Sequence, residues 1–479
     1  MTIARASGHP SVPVSFCAKA DRRTVLWAAI LASSMGFIDS SVTAIAMPAM
    51  RTALGATLAQ AQWINAAYLL ALSALVLVGG AAGDRFGTAR VFVIGIWVFV
   101  LASLACAAAQ DAGQMIAART VKGIGAALMV PGSMAMVSRA YPRAERGRAL
   151  GLWAAASTMT TALGPVLGGA LITWGGEAGW RLIFALNLPL GLLAVWLIRG
   201  RTPGDRGQPG IRVDALGAVL ASAGLGLLAW ALIAPGASLV VWAVAGATLA
   251  GFLAWERVAP APMLRLGLFR NRTLAVTNLV TLALYFALNG VMFYLPMTAV
   301  SAWGVSALEV TAAFLPISLM IAVLSAPAGR LADRWGAGVL MAAGSTLVAC
   351  AYAGLWLAAP GGQFWALVVP LTALAGLGLG LVVAPLTAAA MQGAEDGEQG
   401  AASGINNAVA RVAGLVAVAL LGRVAASAYG PGAPGFGVTG TGAAHLAATG
   451  AAFGTVALVA SLAAALAALL ALLVARPVR

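Results

Sequence analysis

One acid and three cations stand out because they lie where charge is expensive. Asp39 sits well inside a long apolar run, while Asp214 and Glu309 fall only at the ends of such runs. Arg119, Lys122 and Arg411 lie inside apolar runs of the same kind. An ionised side chain in the middle of a bilayer costs roughly 2.5–3.5 kcal/mol, so such residues are retained for a reason. A carboxylate within reach of cations is the arrangement that reversible proton binding needs, because the cations hold it ionised until its surroundings change. Asp39 lies nine residues before Pro48, near the outer end of its run, and Arg119 and Lys122 lie about five and eight residues into theirs. At about 1.5 Å per residue the three share one depth. Arg119 and Lys122 are three apart and project from one helical face. Two readings follow: a proton carrier set between two cations, or a static ion pair fastening one helix to another.

A second polar face lies further along. Asn407 and Arg411 are four apart, which gives either a substrate-facing surface or interhelical hydrogen bonding. Tyr285, Asn289 and Phe293 repeat at helical spacing. With Tyr68 they either line a cavity or pack against neighbours.

Other chemistries lack material. Two histidines, His9 and His445, leave little for His-based catalysis. The three cysteines, Cys17, Cys106 and Cys350, show no metal-ligand or paired spacing. Neither Lys19, before Ala20, nor Lys122, before Gly123, stands in a phosphate-binding loop, which needs Gly-Lys-Ser/Thr. An enzyme, a metal site, an ATP site and a bound cofactor are therefore not expected.

The elements that must carry these residues are set by composition. Of 479 residues, 61% are hydrophobic and 9% charged, too few polar side chains to cover a water-soluble surface. Fourteen apolar stretches are long enough to cross a bilayer core of about 30 Å as helices. They fall near 24–48, 59–82, 91–109, 114–137, 149–174, 182–198, 215–234, 238–255, 273–298, 308–329, 338–358, 364–391, 401–422 and 452–475. The predicted fold is an all-α polytopic membrane protein. The net charge of +14 would point to nucleic acid in a soluble chain. Here, placing the N-terminus in the cytoplasm puts 22 cations inside and only Arg51, Arg181 and Arg423 outside. That asymmetry is the positive-inside rule, so the basic excess reports topology.

A repeat divides the chain. Gly80-Ala-Ala-Gly-Asp84-Arg85-Phe-Gly87 follows the second stretch, and Gly329-Arg-Leu-Ala-Asp333-Arg334-Trp-Gly336 follows the tenth, 249 positions later. Two copies of one turn predict a duplicated architecture. The predicted division is a cytoplasmic tail at 1–23, a six-helix bundle at 24–199, a linker with two inserted helices at 200–272, and a second six-helix bundle at 273–479. The Asp-Arg pairs are read as conformational latches whose charges re-pair between states, with simple turn chemistry as the alternative. Gly164-Pro165 with Gly168 and Gly169 predicts a kinked helix with a surface for close packing.

Five segments then carry a resemblance over essentially the whole chain after residue 24. They are Ile38-Asp39 through Pro48, the Gly80–Gly87 turn, Arg119-Thr-Val-Lys122-Gly123-Ile-Gly125, Gly164-Pro165-Val-Leu-Gly168-Gly169, and Trp180-Arg181 through Gly191. In order and spacing they resemble the major facilitator superfamily, in its fourteen-helix drug:proton antiporter branch (EmrB/QacA-like). The chain departs from that branch at Lys122, where Gln is usual, at Ala44, where Asn is usual, and at Thr88 and Ala89, where basic residues are usual. The resemblance implies proton-coupled export of amphipathic molecules or drugs by alternating access, with Asp39 and Arg119 in proton coupling. It also implies exchange transport for the Gly164–Gly169 motif. Lys122, Asn407, Arg411, Tyr68, Tyr285, Asn289 and Phe293 are the expected cavity residues. Uptake or exchange of an organic anion with a proton is the rival reading, and a non-transporting scaffold or sensor the remaining one. The expected partners are a small molecule, protons and the bilayer, with no nucleic acid and no ATP. A monomer in a bacterial inner membrane, both termini cytoplasmic, is expected; an accessory periplasmic partner is left open.

Overall fold

The structure, a computed structural model, describes residues 16–208, 210–211, 213–392, 398–430, 435–440 and 442–474. Arg5, His9, Arg212, Arg476 and Arg479, with Pro10, Pro13, Pro431, Gly432 and Pro434, lie outside them. Among the described residues there is no strand, and fourteen helices are long and apolar enough to cross a membrane. The first six are α1 (Arg22–Ala53), α2 (Leu58–Phe86), α3 (Thr88–Ala108), α4 (Ala112–Ala140), α5 (Arg143–Gly175) and α6 (Gly179–Ile198). Next come α7 (Ala215–Ile233) and α8 (Leu239–Val258). The last six are α9 (Arg272–Ala302), α10 (Ala307–Trp335), α11 (Ala337–Ala358), α12 (Phe364–Gln392), α13 (Gln399–Tyr429) and α14 (Ala443–Ala471). One boundary moves most: α14 begins nine residues before the expected 452, so His445 lies in its first turn and not in a loop. There His445 ties the incoming chain down, with Nδ1 2.7 Å from the Tyr429 hydroxyl and Nε2 2.8 Å from the Val438 carbonyl.

The repeat extends well beyond the turn motif. Both α2 and α10 are 29 residues long and start with a reciprocal cap. Thr57 Oγ1 accepts from Gln60 N while Gln60 Oε1 accepts from Thr57 N; Ser306 and Glu309 repeat this 249 positions on. Both helices end at a glycine with positive φ, Gly87 at +107° and Gly336 at +89°, where a side chain would be strained. Packing follows the same symmetry. Helix α2 packs on α4 as α10 packs on α12, α1 on α5 as α9 on α13, and α3 on α4 as α11 on α12. The halves meet reciprocally: α5 lies against α10, and α13 against α2.

Matching glycines open those two seams. A Cβ on Gly169 of α5 would lie 2.7 Å from Thr311 Cγ2 of α10, and one on Gly422 of α13 would lie 2.0 Å from Gln62 Nε2 of α2. Thr311 stands 249 positions after Gln62, so the two contacts are equivalent. Gln62 Nε2 donates to the Val418 and Ala419 carbonyls at 2.6 and 3.0 Å, and the Tyr294 hydroxyl donates to Val418 O at 2.6 Å. The inserted hairpin α7–α8 breaks the symmetry, because α7 packs on α2 and α13 and so covers one seam only. Its base is tied by acids: Asp214 Oδ1 accepts from Gly217 N and Trp255 Nε1, and Glu256 Oε2 accepts from Leu264 N.

Two faces are distinguished by charge: a basic face with most of the arginines, and a far face. The three cations expected on the far face are all spent on carbonyl oxygens at helix ends or in the loops that follow them. Arg51 Nε donates to Ala56 O at 3.0 Å and its Nη1 to Phe436 O. Arg181 Nη1 donates to Ala107 O and Ala109 O at 2.6 and 2.7 Å, and Arg423 Nη1 to Ala231 O at 3.4 Å. Arg181 and Arg423 thereby meet the negative ends of α3 and α7. Each breaks the charge rule for a local structural reason.

Candidate functional site

The charged residues singled out above converge inside the first six helices. Asp39 of α1 is 1% exposed, and Arg119 and Lys122 of α4 are not exposed at all. Arg119 Nη1 donates to Asp39 Oδ2 at 2.6 Å, and Lys122 Nζ to Asp39 Oδ1 at 2.5 Å, so each carboxylate oxygen has its own cation. Arg119 Nε also donates to the Ile64 carbonyl of α2 at 3.0 Å, and its guanidinium lies 4.4 Å from the centre of the Tyr68 ring. The Lys122 ammonium lies 4.7 Å from the Phe99 ring centre on α3 and 4.6 Å from that of Phe184 on α6. Five helices therefore meet at one carboxylate.

Local sequence explains how α4 brings two cations so deep. At Gly123, next to Lys122, a Cβ would lie 2.6 Å from the Tyr68 carbonyl, and at Gly125 one would lie 2.5 Å from Phe99 N. Only glycine lets α4 press against α2 on one side and α3 on the other. The aromatic faces then meet the cations with their negative quadrupole, which offsets part of the missing water. The triad carries one negative and two positive charges. Its carboxylate can take up a proton only by giving up a contact with at least one cation.

Lys122 and Phe293 differ from the cavity positions expected of them. Lys122 is enclosed, with its charge directed to Asp39, because the two aromatic rings and the acid leave it no path to a surface. Phe293 is 3% exposed and stacks edge-on against Tyr294 at 4.9 Å, so it is core packing. Tyr68, 1% exposed, forms the floor under Arg119. Tyr285 and Asn289 are half-buried on α9, where Asn289 Nδ2 donates to Tyr285 O at 2.8 Å. Asn289 packs beside Gly414 of α13, one turn from Arg411. Arg411 is half-buried with a buried Nε that has no hydrogen-bond partner, and Asn407 is exposed.

The α5 motif makes a three-helix junction. Cβ atoms on Gly164 and Gly168 would lie 2.2 Å from Ser41 Oγ and 2.5 Å from Val42 Cγ1 of α1, one turn beyond Asp39, while Gly169 turns to α10. Pro165 lies within the same helix. This glycine surface thus joins the helix that bears the acid to the opposite half.

The charges of the turn motifs are unpaired here, and the first motif is held through its backbone. Asp84, Arg85, Asp333 and Arg334 are exposed, and among the described residues none of them is in an ion pair. Gly80 faces Pro131 of α4. The backbone of the first motif is instead strapped by the linker: Gln208 N donates to Asp84 O at 2.8 Å, and Asp205 caps α3. Asp205 Oδ1 accepts from Thr88 N at 2.9 Å, and Oδ2 from Ala89 N and Arg90 N at 2.8 and 3.2 Å. Arg139 of α4 completes the clasp, donating to Asp205 Oδ1 at 3.1 Å and to Thr88 Oγ1 at 2.7 Å. Thr88 and Ala89 are buried beneath this strap. Sequence reading missed Asp205, although it is the one acid in the otherwise basic stretch 199–213. Asp205→Ala should remove a cap on three N–H groups and lower stability by about 1–2 kcal/mol, read as an earlier unfolding transition in detergent. Asp205→Asn should keep part of it.

A profile of the Major Facilitator Superfamily matches residues 29–418. The chain belongs to the Major Facilitator Superfamily. This superfamily member is 34% identical over 414 residues to the methylenomycin A resistance protein of Bacillus subtilis (strain 168), covering 84% of this chain and 87% of that protein. It is 30% identical over 426 residues to the tetracenomycin C resistance and export protein of Streptomyces glaucescens, covering 84% and 77%. Among solved structures, a bacterial homologue of the human lysosomal transporter Spinster superposes with a TM-score of 0.68 at 16% identity, over 95% of this chain and 98% of that one. A superfamily member of this size with fourteen apolar helices is a multi-pass membrane protein.

Within this superfamily member, Lys122→Gln tests how the triad is built. It leaves Asp39 and Arg119 as a neutral pair, so the variant should fold with a change of about 1 kcal/mol or less, since a fully buried ammonium is itself costly. Unfolding in detergent measures this.

Proposed function

We propose that this protein is a proton-coupled exporter of small amphipathic molecules that works by alternating access. One observation carries the reading: a carboxylate buried at the meeting of five helices, each oxygen held by a separate cation. Protonation of Asp39 releases a cation contact between α1 and α4, and the freed interaction alters how α1 sits on α5 and, through the Gly164–Gly169 surface, how α5 sits on α10. Proton binding is thus linked to the seam between the halves. The halves 24–199 and 273–479 rock about that seam, and the linker 200–272 carries the inserted hairpin. No covalent chemistry takes place.

The positive-inside asymmetry supports placing the basic face and both termini in the cytoplasm of a bacterium, the protein lying in the inner membrane. The names of relatives supply the first compounds to try, methylenomycin A and tetracenomycin C. In everted vesicles energised by respiration, adding a transported compound should collapse the proton gradient, and the Asp39→Asn variant should not respond. Expression in a susceptible host should raise tolerance to at least one compound of this class. Substrate uptake into energised right-side-out vesicles, with no proton exchange in everted ones, would overturn the direction.

A second reading rests on Arg411, whose buried Nε is unpartnered in the second half while the triad in the first half is one charge positive. An organic anion moved with a proton would answer both charges. A panel of carboxylates and phenolates in the same vesicles separates this reading from the first.

A further inference from the structure

The inserted hairpin covers a cavity of about 450 Å³, enclosed by α7, α8, α9, α13, α2 and the segment leading into α9. We propose that this cavity is a binding site for an uncharged amphiphile with an apolar body and a single hydrogen-bonding group, reached from the bilayer. The proposal deepens the export reading by naming the substrate class and its first station, and it rests on that reading only for the direction of travel.

Four observations support it. The lining is apolar apart from Ser73 and Asn278, and no lining side chain is charged, so an ion would lose its hydration with nothing in return. The volume falls within the range that holds drug-sized ligands. The Ser73 hydroxyl is buried and has no hydrogen-bond partner, whereas Ser40, Ser103 and Ser222 all donate to the carbonyl four residues back. Asn278 gives one amide hydrogen to Leu274 O at 2.9 Å and accepts from Asn406 Nδ2 at 3.3 Å, which leaves a second amide hydrogen for a ligand. Ser73 belongs to α2 and Asn278 to α9, so the two polar groups come from opposite halves. A ligand that satisfies both bridges α2 and α9 beside the α2–α13 seam.

The route of access follows from the walls. Leu279 and Leu282 of α9, which line the cavity, are 48% and 39% exposed, so the wall is open along a helix of membrane-spanning length, and the proposed entry is from lipid through this opening. Met263, Leu264 and Phe269 close it towards the basic face. A molecule dissolved in the leaflet on the basic side reaches the site without passing through water.

The test uses the full-length protein in lipid nanodiscs with 3-azioctanol, a photoreactive alcohol, as the probe. Labelled peptides mapped by mass spectrometry should concentrate on α7, α8, α9 and α13, and 1-octanol should protect them better than octane does. Ala408→Trp, which fills the cavity, should cut labelling about tenfold, and Ser73→Ala should weaken protection by 1-octanol about fivefold with that by octane unchanged, as expected for one hydrogen bond. Ala221→Leu, a smaller filling change, repeats the test should Ala408→Trp not fold. Labelling spread evenly over all lipid-facing helices, labelling unaffected by both filling variants, or equal protection by octane and octanol would each overturn the proposal. Labelling does not depend on transport, so labelling as expected beside a null result in the vesicle assay above would sink the export reading and leave the site standing. Intact efflux without site labelling would do the reverse.

Discussion

Asp39→Asn is expected to reduce proton-coupled flux by about 100-fold or more, the equivalent of about 3 kcal/mol, and to destabilise the protein as well. The amide cannot cycle between charged and neutral forms, so nothing links proton uptake to the release of Arg119 or Lys122. It also leaves two cations enclosed with no counter-charge, and removing one partner of a buried ionic group costs about 3–5 kcal/mol. The two effects are separable. Adding Lys122→Gln to Asp39→Asn removes one stranded cation and should recover about half of the lost stability while leaving coupled flux at its floor, by the same charge argument. Flux is read by substrate-driven proton movement in proteoliposomes, and stability by unfolding in detergent. Native coupling in Asp39→Asn would remove the acid from the mechanism.

The second large effect falls on Arg119. Both cations hold the acid, but only Arg119 also donates a hydrogen bond to a further helix, through Nε to Ile64 O of α2, beside the Tyr68 ring. Arg119→Ala should therefore cost about 3 kcal/mol or more, from the void and the lost hydrogen bonds to α2 and Asp39 together, although Lys122 still neutralises Asp39. Lys122→Gln should cost far less. Arg119→Lys is the sharper test, because a point charge on a flexible stem cannot hold Asp39 and Ile64 O in the guanidinium's fixed fork. It should fold but lose about tenfold in coupled flux, equivalent to about 1.4 kcal/mol. Equal effects of the Arg119 and Lys122 changes would show that α2 takes no part.

Much of this was legible in the residues themselves, because a membrane makes sequence unusually explicit. Apolar length gave the helices, and charge asymmetry gave their number. Asp39, Arg119 and Lys122 could be placed together since depth is countable along a helix. What counting does not give is azimuth: it put Lys122 near Asp39 but could not say that Phe99 and Phe184 enclose it, nor that Phe293 faces the core. The motif at Asp84 and Arg85 was visible, but its partner was not, since nothing local links Thr88 to a linker acid more than a hundred residues away. Symmetry was the underused signal. Thr57 with Gln60 and Ser306 with Glu309 are the same cap at the same offset, and Gln62 and Thr311, at that offset too, each meet a glycine of the opposite half.

The clasp at Asp205 has a consequence for biosynthesis. The three amide groups at the start of α3 are made 115–117 residues before the carboxylate that caps them. During translation α2, α3 and α4 therefore insert and pack with that helix end uncapped, and it closes only after α6 has left the ribosome and the linker has followed. The first half is finished by a residue that lies outside its own six helices. A fragment ending at residue 200 lacks this closure, while one ending at residue 214 contains it, so the second should resist protease attack at the turn between α2 and α3.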